Sequence, residues 1–413
     1  MKDNRLLSRH FKPISLVAGA CAVALALTVT GATSSVAAAK PLVIGVSLSL
    51  TGDFADPGNA VKKGYQLWVT HINAKGGILG RKVTLKIVDD LSSPTQVVTN
   101  YTNLITRDKV DLVVGPFSSL LTVPASQVAN RYKYAFIESA GGGPKVFAQN
   151  LTNLFFVQPG PIVKQGDVFA DYILSLPAAQ RPKTAAYPSL DDPFAQPVAD
   201  TVRVRFEKAG ITTVYNDIYP AETPDLTPIM AKVVAAKPDV IVSGTQSLDA
   251  YQQVKALIQL KYNPKFLYMS NGANSPSEFP SKVGAANVNG IFSSGDWFTT
   301  STAPGSQTFV KEYIAKFGGT AALIDNSSAE AYAAGQLIEL IAQRTGKIDN
   351  ATIIKSLHAG TWPTLLGTLS WDKYGVPQSQ YLLVQWQNGA LKSVFPTAVA
   401  QAKPLLVKPG WAG

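Results

Sequence analysis

The sequence is poor in the residues that most enzymes and metalloproteins use for chemistry. Its 413 residues include one cysteine and three histidines. Cys21 lies in an apolar stretch near the N-terminus, so the remainder of the chain has no thiol; disulfides, thiolate metal sites and a cysteine nucleophile are excluded there. Beyond that stretch the histidines are His71 and His358, neither with a second candidate ligand nearby in sequence, so no cluster of the kind a metal needs is present. His71 falls on a helical pattern and reads as a surface or capping residue. No G-x-S-x-G elbow, phosphate-binding loop or G-x-G-x-x-G following a strand occurs. The paired acids Asp89-Asp90 and Asp191-Asp192 stand at strand ends, where adjacent side chains point apart, and turn or cap roles fit them better than acid–base work. The formal charge is +10, from 37 basic and 27 acidic residues, yet the basic residues are scattered singly or in pairs such as Lys62-Lys63. No arginine-rich arm or basic stripe with interleaved aromatics is present, so nucleic acid is not an expected partner.

What is present begins with a leader. Lys2, Arg5, Arg9 and Lys12 precede an apolar run over 14–29, which gives way to small residues ending in Ala37-Ala38-Ala39. A basic front, a short apolar stretch and a small-x-small end make a secretory signal peptide, residues 1–39, with cleavage after Ala39 and a periplasmic or otherwise extracytoplasmic destination. Lipoprotein anchoring through Cys21 is the alternative, but Ala18 stands where a larger aliphatic residue is usual. After the leader no apolar run approaches the ~18 residues needed to span a bilayer. The rest of the chain is too long for one small core and suits two lobes.

From Leu42 onward short β-rich runs alternate with amphipathic helical runs, the pattern of parallel sheets covered by helices. Strands are expected over 43–48, 83–88, 110–114 and 134–137. Between them lie helices, the first with Val61, Gly64, Leu67, Trp68 and Ile72 on one face. The alternation restarts after Pro159-Gly160-Pro161, with strands over 184–187, 212–218, 240–243 and 265–268. From about 292 to 367 the chain reads as mostly helical (307–317, 328–345 and 351–358). A hairpin over 382–387 and 391–395, turned at Asn388-Gly389, closes the pattern. The fold class is therefore α/β, two doubly wound lobes, with the C-terminal elements returning to complete both.

Two loops carry candidate chemistry. Gly115-Pro116-Phe117-Ser118-Ser119 follows an apolar strand and precedes a helix, and Ser139-Ala140-Gly141-Gly142-Gly143 follows the next strand. Hydroxyls and free backbone amides at a strand's carboxyl end beside a helix N-terminus suit an anion. Two ordinary βα turns would look the same.

Several segments together resemble a known family. They are Ile44-Gly45-Val46 with Leu50-Thr51-Gly52; the run His71-Ile72-Asn73-Ala74-Lys75-Gly76-Gly77-Ile78-Leu79-Gly80-Arg81-Lys82-Val83; Asp89-Asp90; Val114-Gly115-Pro116 with Pro124-Ala125-Ser126; and Gly367-Thr368-Leu369-Ser370-Trp371-Asp372 with Gly375. The likeness is to the type I periplasmic binding proteins of the leucine/isoleucine/valine-binding group, which serve ABC importers. It implies a monomeric, non-catalytic protein without a cofactor or metal, which captures a small molecule and presents it to a membrane permease. It also implies a three-segment hinge, with crossings near 158–161, 290–294 and 366–376. Lobe 1 would then comprise 40–158 plus 294–366, and lobe 2 159–293 plus 376–413.

The resemblance further implies that lobe 1 holds a ligand carboxylate at Ser119, Ala140 and Gly142, the last often threonine in the family, with Phe117 and Ser118 beside them. The family's acid for the ligand ammonium falls at Asn271 or Gly272, neither of which is charged. Aromatic wall positions fall at Pro57, Gln246 and Ser327, with Phe194 retained. Asp191, Asp192, Asp249 and Glu330 are the acids available to replace the missing charge. The implied ligand is a branched-chain or other apolar amino acid, or a related carboxylate or amide. Aromatic or short-chain carboxylic acids are the alternative, favoured by the missing acid, and a ligand-sensing subunit of a membrane receptor would share the same cleft.

Overall fold

The computed structural model describes residues 39–412; residues 1–38 of the leader, Cys21 among them, lie outside the described residues. The chain opens with β1 (Leu42–Leu48), α1 (Ala55–Ala74), β2 (Val83–Asp89), α2 (Pro94–Thr106), β3 (Leu112–Val114), α3 (Ser119–Arg131), β4 (Phe136–Glu138), α4 (Pro144–Phe147) and β5 (Leu154–Phe156). These strands form one sheet in the order β2-β1-β3-β4-β5, every neighbouring pair parallel. A strand covered on both faces reads as a nearly unbroken apolar run. Ile44, Val46, Val113 and Ile137 are correspondingly buried.

A second series follows: α5 (Val163–Ser175), β6 (Thr184–Leu190), α6 (Ala195–Lys208), β7 (Thr212–Tyr219), α7 (Thr227–Ala235), β8 (Val240–Ser243), α8 (Ser247–Gln259), β9 (Phe266–Met269), α9 (Phe279–Val283) and β10 (Ile291–Gly295). The chain then gives α10 (Ser306–Phe317), α11 (Asn326–Thr345), α12 (Asn350–Ala359), β11 (Trp362–Thr364), β12 (Gly367–Leu369), β13 (Leu382–Gln387) and β14 (Ala390–Phe395). The larger sheet has the order β14-β13-β10-β9-β8-β6-β7; its last two strands in sequence are antiparallel, as the hairpin requires.

The helical face expected on α1 is buried, and it explains why α11 returns to the first sheet. A Cβ at Gly64 would lie 2.2 Å from the Ser328 carbonyl of α11, so only glycine admits that approach. Ser328 Oγ then donates to Ala60 O at 2.7 Å. Trp68 is 1% exposed beneath this contact, and burying a large apolar side chain contributes about 2–3 kcal/mol. Helices α10 and α11 and strands β11 and β12 share the first sheet's core, while β13 and β14 share the second's.

The mostly helical reading from 292 onward is corrected at β10. Ser293 and Ser294 interrupt the apolar pattern, yet both are buried, and Ser293 Oγ donates to Met269 O at 2.8 Å. The chain therefore stays in the larger sheet through Gly295, beyond the 290–294 expected for the second crossing. The first and third crossings run side by side. Trp371 Nε1 donates to Phe156 O at 2.6 Å, Ser379 N to Pro159 O at 2.6 Å, and Tyr381 Oη to Gln158 Oε1 at 2.7 Å.

Candidate functional site

The carboxyl ends of β3, β4, β6, β8 and β9 converge where the two sheets face each other, the place where open α/β sheets hold ligands. From the first sheet, Phe117, Ser118, Ser119 and Ala140 line a cavity there of about 40 Å³. Phe194, Gln246 and Asn271 line it from the second, and Ser327 from the start of α11. Glu330, one of the acids named from sequence, also lines it, and four lining residues were not named from sequence: Gln158, Ile162, Gln165 and Asn274. Room for a few water molecules means that a larger ligand enters only as the lobes part.

Ser118 is the strained point of the site. Its φ of 88° and ψ of 159° fall in a region that is nearly glycine-only. Its Oγ is buried and has no hydrogen-bond partner. Ser119 follows as the first residue of α3, and its Oγ accepts from Gly143 N at 2.9 Å, leaving its own proton free to donate. Helix α3 begins at Ser119, so its N-terminal amides and positive dipole end face the cavity wall.

The second loop is arranged differently from expectation. Ala140 N is already engaged, donating to Glu138 Oε1 at 2.6 Å, and Thr122 Oγ1 donates to Oε2 at 2.8 Å. Glu138 thus pins the loop from below. Burial pushes its carboxyl up to about 8 despite these donors. Gly142 lies outside the cavity lining: a Cβ there would sit 2.2 Å from the Phe156 ring, which fills the space a threonine would need. Gly272 is also outside it, packed against Ala250.

Across the cavity, Gln246 is held at both ends of its amide. Its Nε2 donates to Asp192 Oδ1 at 3.2 Å, and its Oε1 accepts from Asn271 Nδ2 at 2.8 Å. Asp192 also accepts from Phe194 N and Ala195 N, capping α6. Asp249 accepts from Gln246 N at 2.8 Å and Tyr219 Oη at 2.6 Å, and burial pushes its carboxyl up to about 7. Asp191, Asp192 and Asp249 line a neighbouring cavity of about 110 Å³. Of the four acids weighed from sequence, Glu330 is the one in the wall with Ser118 and Ser119. Burial, then the adjacent Asp296, holds its carboxyl well above the usual range.

The remaining sequence candidates prove structural. Asp89 and Asp90 accept from the hydroxyls and amides of 47–51 and 91–92, stapling a turn. His71 pairs with Glu312 of α10 at 2.7 Å. Among the described residues no group of three or more histidine, cysteine or acidic side chains could hold a metal ion, and no helix is long and apolar enough to cross a membrane. The lobes are clasped across the cleft: Ser275 Oγ, after β9, donates to Asp325 Oδ2 at the start of α11, 2.7 Å away.

Comparison with known proteins agrees with this architecture. Residues 41–390 match the family model described as periplasmic binding protein. A Leu/Ile/Val-binding protein homolog of Brucella melitensis is 28% identical over 375 residues, 89% of this chain and 97% of that protein. The isoleucine complex of a branched-chain amino acid transporter substrate-binding protein from Streptococcus pneumoniae superposes with a TM-score of 0.75 at 21% identity, covering 89% of this chain and 100% of that one. A solute-binding protein of an ABC transporter from Rhodopseudomonas palustris, in complex with 3,4-dihydroxybenzoic acid, gives a TM-score of 0.73 at 18% identity, covering 89% and 98%. With two facing α/β sheets, a cavity at their strand ends and a family match over most of its length, the chain belongs to the periplasmic binding protein family.

Proposed function

We propose that the protein is the exported, non-catalytic solute-binding subunit of an ABC importer, that its leader is removed after Ala39, and that it delivers an apolar α-amino acid to a membrane permease. The observation that carries this reading is Glu330 in the same cavity as Ser118, Ser119 and the N-terminus of α3. An α-amino acid needs donors for its carboxylate and a counter-charge for its ammonium, because a buried ammonium without one loses several kcal/mol. The hydroxyls and helix end supply the first need. Glu330 supplies the second, replacing the acid that Asn271 and Gly272 do not provide. Phe117, Ile162 and Phe194 offer apolar walls for a side chain. The Leu/Ile/Val-binding names of its relatives point the same way. Binding energy drives closure about the three crossings, and no bond is made or broken.

Calorimetric titration of the purified protein with L-leucine, L-isoleucine, L-valine and benzoate tests the reading. The amino acids bind and benzoate does not; Glu330→Gln weakens amino acid binding a hundredfold or more, since losing one partner of a buried charge pair costs about 3–5 kcal/mol. Tight benzoate binding with no response to amino acids would favour a carboxylate-binding protein instead.

A further inference from the structure

The ligand cavity does not stand alone between the lobes. The neighbouring cavity of about 110 Å³ is lined from the first lobe by Phe54 and Leu120, and from the second by Leu190, Tyr219, Leu226 and Leu248. Apolar walls run on from one cavity to the other. Phe117 of the ligand cavity and Phe54 of its neighbour meet edge-on, their ring centroids 5.8 Å apart. On the facing lobe, Phe194 of the ligand cavity packs against the cluster of Leu190, Tyr219 and Leu226. Among the described residues Gln246 alone lines both spaces.

Gln246 is held as a partition would be. It directly precedes α8 and is 4% exposed. Its amide is tied to both cavity walls at once: Nε2 donates to Asp192 Oδ1 of the second cavity at 3.2 Å, and Oε1 accepts from Asn271 Nδ2 of the ligand cavity at 2.8 Å. Swinging aside would leave buried polar groups unpaired, which opposes the movement. The backbone of Gln246 is fixed independently, through its N–H to Asp249 Oδ1. The acids around the second cavity do not call for a cation. Asp192 also accepts from Phe194 N and Ala195 N, and Asp249 from Tyr219 Oη, while Asp53 and Asp191 are exposed to solvent. What the second cavity offers a ligand is apolar surface from both lobes.

We propose that Gln246 sets the length of the ligand's side chain: it confines the site to aliphatic amino acids of leucine size, and the cavity behind it is a latent subsite that takes an aromatic side chain once the partition is removed. This rests on the amino acid reading above. With the carboxylate and ammonium held at Ser118, Ser119 and Glu330, the side chain is the part of the ligand left to meet the Gln246 amide. A leucine side chain stops short of it, whereas a phenylalanine ring needs the space beyond. Gln246 therefore discriminates by obstruction rather than attraction, and an obstruction tied down by two hydrogen bonds rejects the longer ligand without weakening the shorter one.

The test is calorimetric titration with L-leucine and L-phenylalanine. The natural protein prefers leucine by about tenfold or more, and Gln246→Ala, which keeps the backbone bond to Asp249, binds phenylalanine about tenfold tighter than the natural protein does, with leucine affinity equal or weaker. Filling the second cavity reverses the gain. Leu248 is 48% exposed, so Leu248→Trp added to Gln246→Ala occupies that space without disturbing the core, and the preference for leucine returns. A merely structural role for Gln246 would weaken both amino acids alike in Gln246→Ala and leave their ratio unchanged, which overturns the proposal. So does a natural protein that binds phenylalanine as tightly as leucine, or a double variant that keeps the phenylalanine gain; each of these leaves the amino acid reading standing. Benzoate binding with no response to either amino acid would overturn both.

Discussion

Glu138 offers a measurement of how the floor of the candidate site is held. Its side chain is fully buried, accepts from Ala140 N and Thr122 Oγ1, and has its carboxyl pushed from the ordinary 4.5 up to about 8. Because the folded state binds this proton more tightly than the unfolded chain, stability is greatest below about pH 4.5 as far as this group is concerned. It falls as pH rises through the interval up to about 8, then levels off. The decline is close to tenfold in the folding equilibrium per pH unit, and its sum approaches about 5 kcal/mol as an upper limit. Glu138→Gln keeps an acceptor for Ala140 N and an amide that Thr122 can accept from, but has nothing to titrate. Urea denaturation of both proteins from pH 5 to pH 9 isolates the effect, since other buried acids such as Asp249 contribute alike to both. The variant gains on the natural protein steadily as pH rises and is the more stable one at pH 8. Two parallel stability curves would refute the argument, and would mean that Glu138 is ionised in the folded protein and held by its donors.

Two further outcomes follow from backbone geometry and packing. Ser118→Gly relieves a conformation that costs about 1–3 kcal/mol for a residue with a side chain, so thermal unfolding moves to higher temperature while leucine binding weakens with the loss of an unpartnered hydroxyl; a lower Tm would contradict the strain. Gly64→Val forces a side chain into the 2.2 Å approach to Ser328 O, prising α11 from α1 at about 1–3 kcal/mol, read as a fall in Tm; an unchanged Tm would show that α11 shifts freely.

Much of the fold was legible because parallel strands covered on both faces must be apolar and their covering helices must be amphipathic. β1, β2, β8 and the hairpin β13–β14 came out within a residue or two of the expected bounds for that reason. β10 was missed because Ser293 and Ser294 hide a central strand whose polar atoms are satisfied by tertiary partners. In the site, Ser118 and Ser119 were visible because a strand end meeting a helix start leaves a local trace of hydroxyls and glycines. Gly142 stands outside the cavity lining, beside a Phe156 ring that no local pattern announces.

Sequence alone determined the alternation of strand and helix, the absence of thiol and histidine-cluster chemistry, and the family likeness, since each is written in local composition and spacing. Which acid stands opposite the serines was decided only by tertiary structure. Glu330 lies more than two hundred residues from Ser119, on a helix that reaches the first sheet because glycine at position 64 lets it approach. Long-range packing brings it there, and burial holds its carboxyl well above the usual range.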